Sequence, residues 1–300
     1  MKILITGSNG LLGQKLVHKL AHRNDINLVA TSRGINRLLQ QKGYTYATMD
    51  IADAAAVQKV ITEHQPDSVI HTAAMTHVDV CHKEPENCRK MNVEAVKNIV
   101  EACKQAGCHL VHLSTDFIFD GQNGSYSEED IPAPLSIYGE SKLESEKVVQ
   151  ESGLEAAILR TILLYGVAEN MSRSNIVLWA RQALSDGKNI NVVDDQFRSP
   201  TLAEDLADAC ILAAEKRAQG VFHISGPDTM SVLDLVYQVA DYWNLDRNLI
   251  ARVSSDTLSQ PAKRPPRTGF AIDKARRELG YKPHTFKEGL AVVEKQLQER

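Results

Sequence analysis

A tyrosine and a lysine four residues apart, Tyr138 and Lys142, could carry out acid–base chemistry in this sequence. Residues at that spacing lie on one face of a helix. A cation beside a phenol favours the phenolate, so the pair predicts a Tyr138 pKa below its usual value of about 10 and a phenol able to protonate a developing alkoxide. Either residue could instead lie on a solvated helix surface.

Ser114 and Thr115 follow a nearly continuous apolar run and could add a hydroxyl to this site. Ligands of open α/β sheets bind outside the carboxyl ends of the strands, and these two residues are predicted to end the fifth strand. A Thr115 hydroxyl there could hydrogen-bond a substrate oxygen beside the phenol, although it could equally cap a turn. We predict Thr115, Tyr138 and Lys142 as the catalytic residues.

A glycine-rich loop follows the first predicted strand, with Gly7, Gly10 and Gly13 spaced Gly-x-x-Gly-x-x-Gly before an amphipathic helix. Gly7 permits a tight turn, Gly10 lets the backbone approach a pyrophosphate, and Gly13 allows close packing of helix and strand. The N–H groups at the helix start favour a bound diphosphate. The loop therefore predicts dinucleotide binding, with contacts from Gly7, Asn9, Gly10, Leu11, Leu12 and Gly13.

The end of the second predicted strand bears on the choice of cofactor. An NAD enzyme would carry Asp or Glu there to accept the ribose 2′-hydroxyl, whereas this sequence has Ser32 and Arg33. A guanidinium can bind a 2′-phosphate in a forked geometry, so the sequence favours NADPH, with NADH as a second choice. Arg33 could instead be a solvated surface residue. Asp50 and Ile51, after the third strand, could contact the adenine.

Strand-like and helix-like segments alternate through the first half of the chain and must position these residues. The segments are 2–6, 11–22, 27–32, 45–48, 53–64, 67–71, 92–106, 108–114, 136–151 and 155–160. Such alternation is typical of βαβ units, so we predict an α/β fold with a Rossmann-type doubly wound parallel sheet.

The second half has a looser pattern that predicts a smaller α/β lobe. Helices are predicted at 173–186, 203–216, 231–243, 273–279 and 286–298, strands at 190–193 and 220–224, and a proline-containing loop at 254–268. We predict an NADP-binding Rossmann domain over 1–160 and a mostly substrate-binding lobe over 161–300, with some elements returning to the sheet.

The composition argues against several classes of function. The 300 residues carry 34 Lys and Arg against 38 Asp and Glu, a net charge of −4, which offers no broad basic surface for nucleic acid or membranes. No apolar run approaches the roughly 20 residues of a membrane span, and no signal peptide precedes the glycine loop. Five cysteines without a Cys-x-x-Cys pair favour reduced thiols. We expect a cytoplasmic protein with a small-molecule substrate, and a homodimer stays open.

The ordered motifs resemble those of extended short-chain dehydrogenases/reductases along essentially the whole chain. The motifs are Thr6-Gly7-x-x-Gly10-x-x-Gly13, His71-Thr72-Ala73-Ala74, Asn92, Ser114-Thr115 and Tyr138-x-x-x-Lys142. The resemblance implies that Thr72, Ala73 and Ala74 lie along the cofactor and that Asn92 orders the site behind it. It also implies that Thr115 orients a substrate carbonyl, that Tyr138 is the acid, and that Lys142 binds the nicotinamide ribose.

Within that superfamily the sequence resembles the dTDP-4-dehydrorhamnose reductase family. The matching segments are residues 114–121, Tyr126, Glu128, Pro132, Pro134, residues 195–201 and Arg264-Pro265. This resemblance implies NADPH-dependent reduction of the C4 ketone of dTDP-4-dehydro-L-rhamnose to dTDP-L-rhamnose. The expected substrate contacts are Thr115, Asp116, Arg198 and Arg264, with the guanidinium groups, including that of Arg267, near the diphosphate.

Some residues depart from the family pattern. Leu163 stands where relatives often have an aromatic residue, which bears on the sugar or nucleotide contact. Some members bind Mg²⁺ through an acidic residue just after the third glycine, but Gln14 and Lys15 stand here, so we predict no metal. A histidine- and cysteine-containing cluster also matches no familiar zinc spacing; it comprises His71, His77, Cys81, His82 and Cys88.

Two alternative functions remain open from the sequence. The first is a nucleotide-sugar epimerase or dehydratase, although Phe117 follows Asp116 where a dehydratase usually carries a second acid–base group. The second is a binding protein without turnover, because residues 160–166 also resemble the NADP-binding regulatory subunit of methionine adenosyltransferase. Fold alone does not separate these functions from a reductase.

Overall fold

A computed structural model describes residues 1–170, 174–258 and 260–299 of the chain. Its strands are β1 (Lys2–Thr6), β2 (Asn27–Ser32), β3 (Thr45–Thr48), β4 (Ser68–His71), β5 (His109–Thr115), β6 (Gly124–Tyr126), β7 (Ala156–Thr161), β8 (Leu164–Tyr165), β9 (Ile190–Val193), β10 (Phe197–Arg198), β11 (Thr201–Leu202), β12 (Gly220–Ile224), β13 (Met230–Ser231), β14 (Ile250–Val253) and β15 (Arg267–Phe270). Arg173 of a predicted helix, Ser259 of the predicted loop and Arg300 lie outside the described residues.

The α-helices connect these strands and cover the sheets. They are α1 (Leu11–Leu20), α2 (Ala54–His64), α3 (Val78–Lys83), α4 (Pro85–Arg89), α5 (Ala95–Ala106), α6 (Ile137–Glu151), α7 (Ile176–Ser185), α8 (Ala203–Glu215), α9 (Val232–Tyr242) and α10 (Phe286–Gln298). Two segments are π-helical, Lys90–Glu94 and Ala275–Leu279. Within the described residues, no helix is both long and apolar enough to span a membrane.

The main sheet of the described chain has seven parallel strands in the order β12-β7-β5-β4-β1-β2-β3. The strand order reverses between β1 and β4, so their connections leave in opposite directions and open a crevice at their carboxyl ends. The predicted Rossmann-type parallel sheet is confirmed. This topology brings the loops after β1, β4 and β5 to one edge.

Helices pack on both faces of this sheet because its strand residues alternate between two apolar clusters. Ile3 and Ile5 belong to the cluster that contains α1 and α8, whereas Leu4 belongs to the cluster that contains α2 and α5. All three side chains are fully buried. A strand buried on both sides reads as a continuous apolar run, which explains the sequence pattern of β1.

The C-terminal half forms its own apolar cluster around α7, α9, α10 and β9 and also contributes to the main sheet. Strand β12 pairs with β7, and α8 packs against α1. In the other direction, β6 from the first half pairs with β15. These exchanges support a lobe with elements that return to the sheet, while the boundary at residue 160 stays a prediction.

The predicted loop over 254–268 differs from the structure at its end, because Arg267 and Thr268 begin strand β15. This strand lies between β10 and β6, and both neighbours come from distant parts of the chain. Its hydrogen bonds are therefore supplied by tertiary pairing that a local pattern does not reveal. Similarly, the predicted helix 92–106 differs from the structure at its start. Residues 92–94 belong to the π-helical turn Lys90–Glu94, and α5 begins at Ala95.

Candidate active site

The candidate site lies where β1, β4 and β5 end side by side. Thr6, His71 and His112 occupy one row of the sheet, since Thr6 pairs with His71 and His71 pairs with His112. The Thr6 hydroxyl accepts hydrogen bonds from the backbone N–H groups of Thr72 and Ala73, at 3.2 and 3.3 Å. The glycine loop after β1 is thus joined to the loop after β4.

The glycine loop has the close contacts that its sequence predicts. Gly7 has φ +72°, in the left-handed region that favours glycine. A Cβ added at Gly7 would lie 2.9 Å from the Ala73 nitrogen, and one at Gly13 would lie 2.2 Å from the Gly7 carbonyl oxygen. A Cβ at Gly10 would lie 3.3 Å from that same oxygen. Gly13 therefore permits α1 to pack directly against the loop.

The N-terminus of α1 fits a dinucleotide diphosphate. Within the described residues, no side chain caps this helix, and its first turn carries no acidic residue. The backbone N–H groups of Leu11 and Leu12 are thus available at the positive end of the helix dipole. The buried Ser8 hydroxyl also has no partner among the described residues. These features fit the residues to the diphosphate of a nicotinamide dinucleotide.

The predicted adenosine contacts lie at the ends of β2 and β3. Arg33 is exposed and Ser32 is partly buried. The Asp50 carboxylate accepts a hydrogen bond from the Ala52 N–H at 3.0 Å, and the Asn98 side chain donates to the Ile51 carbonyl oxygen at 3.0 Å. Asn98 was not predicted from the sequence, because its partner is distant in the chain and its helix position carries no motif.

Asn92 connects the loop after β4 to helix α6. Its side chain exchanges two hydrogen bonds with the Met75 backbone, at 2.8 and 2.9 Å, and donates to the Ser141 hydroxyl at 3.0 Å. Ser141 in turn donates to the Tyr138 carbonyl oxygen at 2.8 Å. Asn92 is buried in the π-helical segment, so it orders the loop that begins with Thr72, Ala73 and Ala74.

Thr115 and Tyr138 come together at the end of β5. The neighbouring Thr115 hydroxyl lowers the Tyr138 pKa, but burial of the phenol has the larger effect and raises that pKa above its usual value. The expected lowering of the Tyr138 pKa is therefore wrong. Desolvation penalises the phenolate, and Asp116, Cys81 and Cys88 act in the same direction. Tyr138 is consequently a protonated phenol at neutral pH.

Lys142 lies one helical turn beyond Tyr138 and is buried against β5. Its Nζ is 3.4 Å from His112 Nε2. Burial lowers the Lys142 pKa to about 8, although Glu146 and Cys88 act in the opposite direction. His112 is fully buried, and burial together with the Lys142 charge holds its pKa well below the usual value. His112 is therefore neutral beside the ammonium, a neighbour that the sequence motif did not reveal.

Asp116 is buried directly behind Thr115. Its carboxylate accepts hydrogen bonds from the Thr115 hydroxyl at 3.0 Å and from the Thr268 hydroxyl of β15. Arg198 Nε lies 4.0 Å from the same carboxylate. Burial raises the Asp116 pKa, with Arg198 and the two threonines opposing that effect. The C-terminal lobe thus contributes two residues that contact Asp116 behind Thr115, and only Arg198 was singled out from the sequence.

The predicted substrate arginines have protein partners in this structure. Arg198 donates to the carbonyl oxygens of Phe197 and Pro265, at 2.6 and 2.8 Å, and is buried. Arg264 forms an ion pair with Asp79 at 2.7 Å and retains some exposure. Arg267 packs over the Phe197 ring, with its guanidinium carbon 4.1 Å from the ring centroid. Arg264 and Arg267 are the more exposed of the three arginines and therefore the more accessible to a phosphate.

A buried ion pair beneath the site was not predicted from the sequence. Arg160 at the end of β7 donates two hydrogen bonds to the Glu146 carboxylate of α6, at 3.0 and 2.8 Å. Both side chains are at most 5% exposed. The pair fixes α6, which carries Tyr138 and Lys142, against the sheet. Among the described residues, no group of three or more His, Cys, Asp or Glu side chains could hold a metal ion.

The strand order, the glycine loop and the Thr115–Tyr138–Lys142 set define a protein of the extended short-chain dehydrogenase/reductase class. The family described as the RmlD substrate binding domain matches residues 1–299, and the chain belongs to that family. The family resemblance that the motifs predicted is confirmed.

Similar proteins include a subunit of methionine adenosyltransferase and solved reductases. The chain is similar to methionine adenosyltransferase 2 subunit beta of Pongo abelii, with 35% identity over 269 residues, or 88% of this chain and 78% of that protein. A solved dTDP-4-dehydrorhamnose reductase of Clostridium acetobutylicum has 29% identity and a TM-score of 0.88, covering 99% of this chain and 100% of that one. The Bacillus anthracis dTDP-4-dehydrorhamnose reductase, solved with NADP, has 29% identity and a TM-score of 0.84, covering 98% and 99%.

Proposed function

We propose that this protein is an NADPH-dependent oxidoreductase that reduces the C4 ketone of dTDP-4-dehydro-L-rhamnose to give dTDP-L-rhamnose. The observation that carries the proposal is the placement of Tyr138 and Lys142 one turn apart on α6, packed against β5, which ends at Thr115, at the sheet edge that also bears the glycine loop. Two similar solved proteins are named dTDP-4-dehydrorhamnose reductases, which supports the choice of substrate.

The proposed mechanism divides the reaction between a hydride donor and three side chains. NADPH, when bound, supplies the hydride. Tyr138 retains its proton at neutral pH because burial raises its pKa, and it gives that proton to the C4 oxygen as negative charge develops there. Thr115 turns its hydroxyl from Asp116 to the same oxygen. The Lys142 cation stabilises the resulting phenolate and orients the nicotinamide ribose.

The cofactor contacts follow the loops at the sheet edge. We propose that the glycine loop residues Gly7, Asn9, Gly10, Leu11, Leu12 and Gly13 bind the diphosphate side of NADPH. The uncapped start of α1 supports this assignment. Ser32 and Arg33 would bind the 2′-phosphate, and Asp50 and Ile51 would contact the adenine. Thr72, Ala73 and Ala74 would line the nicotinamide half, with Asn92 holding that loop through Met75.

The substrate would bind between the sheet edge and the C-terminal lobe. Arg264 is the partly exposed arginine of the proposed diphosphate site, and substrate binding would exchange its Asp79 partner for a phosphate. Arg198 and Asp116 are buried, so we propose that they act on the sugar through Thr115 rather than through an extensive contact with the sugar. In this arrangement both lobes would contribute residues to one site.

The proposal is tested by following NADPH oxidation with a panel of 4-keto nucleotide-sugars. We expect turnover with dTDP-4-dehydro-L-rhamnose and a loss of about 10²–10⁴-fold in the Tyr138→Phe variant, because the proton donor is removed. Tyr242→Phe, at the end of α9, is the matched control and should retain the wild-type rate. Turnover that survives unchanged in Tyr138→Phe would reject Tyr138 as the acid.

A second candidate function is favoured by the identity to a methionine adenosyltransferase beta subunit. In that role the chain would bind NADP and associate with a methionine adenosyltransferase without reducing a ketone. Mixing the purified protein with such an enzyme and measuring their association by light scattering separates the two functions. A stable complex together with no ketone-dependent NADPH oxidation would replace the reductase proposal.

The cellular setting is proposed from the same observations. All five cysteines are free, which supports a cytoplasmic location where thiols stay reduced. We propose a small-molecule nucleotide-sugar as the partner, and neither nucleic acid nor a membrane. Light scattering of the purified protein decides between a monomer and the homodimer left open by the sequence.

A further inference from the structure

The turn that follows β2 is hydrogen-bonded to the glycine loop through the side chain of Asn9. The Asn9 Nδ2 group donates to the Ile35 carbonyl oxygen, and its Oδ1 atom accepts from the Arg37 N–H, each at 2.9 Å. One amide side chain therefore satisfies a donor and an acceptor of the same turn. This contact couples the position of the turn to the loop that faces the diphosphate.

The same turn is held from its other side by the end of β3. The Tyr46 hydroxyl donates to the Gly34 carbonyl oxygen at 2.7 Å, and the Thr48 hydroxyl donates to that oxygen at 3.2 Å. Gly34 has φ +82°, which lets the chain reverse directly after Arg33. Leu38, just beyond the turn, is buried in the apolar cluster of α1. The turn is thus held on both sides by side chains of the protein.

This turn carries two cations. Arg33 and Arg37 are both exposed, and neither forms an ion pair with any described residue. The Tyr46 hydroxyl that holds Gly34 also lies 3.5 Å from the Ser32 carbonyl oxygen, so the turn that carries both arginines is anchored at the end of β2. Two unpaired guanidinium groups on an ordered turn are suited to a phosphate dianion.

We infer that Arg37 is a second cation for the 2′-phosphate of NADPH and that Asn9 is the positioning residue that holds the turn bearing both arginines. The inference deepens the cofactor part of the proposed function and rests on it. Arg37 is the specificity-determining residue that the sequence motif did not contain, because it lies four residues beyond Arg33. Its backbone is held by the side chains of Asn9, at 2.9 Å, and Asn170, at 3.2 Å.

Calorimetric titration with 2′,5′-ADP and with 5′-AMP tests this inference, since the two probes differ by the 2′-phosphate alone. We expect Arg37→Gln to weaken 2′,5′-ADP binding about tenfold or more and to leave 5′-AMP binding within about twofold, as for one lost charge-assisted hydrogen bond. Arg37→Lys should recover part of the loss. Asn9→Ala should weaken 2′,5′-ADP more than 5′-AMP, because loss of the hydrogen bonds to the turn adds to any effect on the 5′-phosphate that both probes share. Arg277→Gln, an exposed arginine near the C-terminus, is the matched control.

The two probes separate a specific role from a structural one. An equal loss of affinity for both probes in Arg37→Gln, or no loss for either, would overturn the inference, as would a wild-type protein that binds both probes equally. Neither probe contains a ketone, so the result does not depend on turnover. Failure of the reductase assay with selective 2′,5′-ADP binding would reject only the proposed reaction.

Discussion

Lys142 shows how burial decides the protonation of the candidate site at the scale of single residues. Its ammonium lies beside the neutral ring of His112, and burial lowers its pKa to about 8 while raising that of Tyr138. The spacing of Tyr138 and Lys142 predicted that the two residues share a site. It did not predict their pKa values, because spacing does not report how much water a helix loses when it packs on β5.

The lowered Lys142 pKa predicts a pH limit for the proposed reaction. The Lys142 charge is present below about pH 8 and is lost above it, whereas an ordinary lysine keeps its charge to about pH 10. We expect kcat/KM for NADPH, which reports ionisations of the free enzyme, to fall about tenfold per pH unit above pH 8.

An arginine at the same position provides the comparison for this pH limit. Lys142→Arg keeps a cation at every accessible pH, so its lower rate should not decline near pH 8. A wild-type profile that stays flat to pH 10, or an identical decline in Lys142→Arg, would show that another group limits the rate. The measurement is the pH dependence of NADPH oxidation from pH 6.5 to pH 10.

At the scale of elements, local patterns predicted the parts of the fold whose partners are nearby. Predicted strands 190–193 and 220–224 and the predicted helix 286–298 coincide with β9, β12 and α10. The two-residue strands β8, β10, β11 and β13 were not predicted, because two residues carry no periodicity and their partners are distant. Strand β15 was not predicted either, and it brings Thr268 to Asp116. The contact of Thr268 with the candidate site was therefore not predicted.

The glycine loop gives a prediction that separates folding from cofactor binding. Gly13→Ala would put a Cβ 2.2 Å from the Gly7 carbonyl oxygen, so we expect a loss of stability of at least about 1–3 kcal/mol and loss of NADPH binding. Gly10→Ala has a 3.3 Å contact with that oxygen, so we expect near-wild-type stability with weakened NADPH binding. Urea unfolding and NADPH titration measure the two effects. A Gly13→Ala variant as stable as wild type would contradict the packing role of Gly13.

At the scale of the whole molecule, buried histidines make stability depend on pH. Burial lowers the pKa of His71 and of His223 to about 3, compared with about 6.5 in an unfolded chain. Below pH 6.5 these two histidines bind protons in the unfolded chain but not in the folded chain. Their contribution to the free energy of unfolding is therefore fully present above pH 6.5 and is lost as the pH falls toward 3. Each histidine should reduce the free energy of unfolding by about 2 kcal/mol between pH 7 and pH 5.

Comparison of two variants tests this dependence. His223→Asn should reduce the difference in unfolding free energy between pH 7 and pH 5 by about 2 kcal/mol relative to wild type. His82→Asn, at an exposed histidine, should leave the difference unchanged. Urea unfolding at both pH values provides the measurement, and the same difference in His223→Asn as in wild type would contradict the linkage.

The most direct test of the proposed reaction is the fate of the transferred hydrogen. The protein is incubated with dTDP-4-dehydro-L-rhamnose and NADPH that carries deuterium at nicotinamide C4 on the transferred face, and the sugar product is analysed by NMR and mass spectrometry. The proposed function predicts one deuterium bound to C4 of dTDP-L-rhamnose in the wild-type reaction, and the same product formed about 10²–10⁴-fold more slowly by Tyr138→Phe. No reduced sugar, or a reduced sugar without deuterium at C4, would contradict hydride transfer to that carbon.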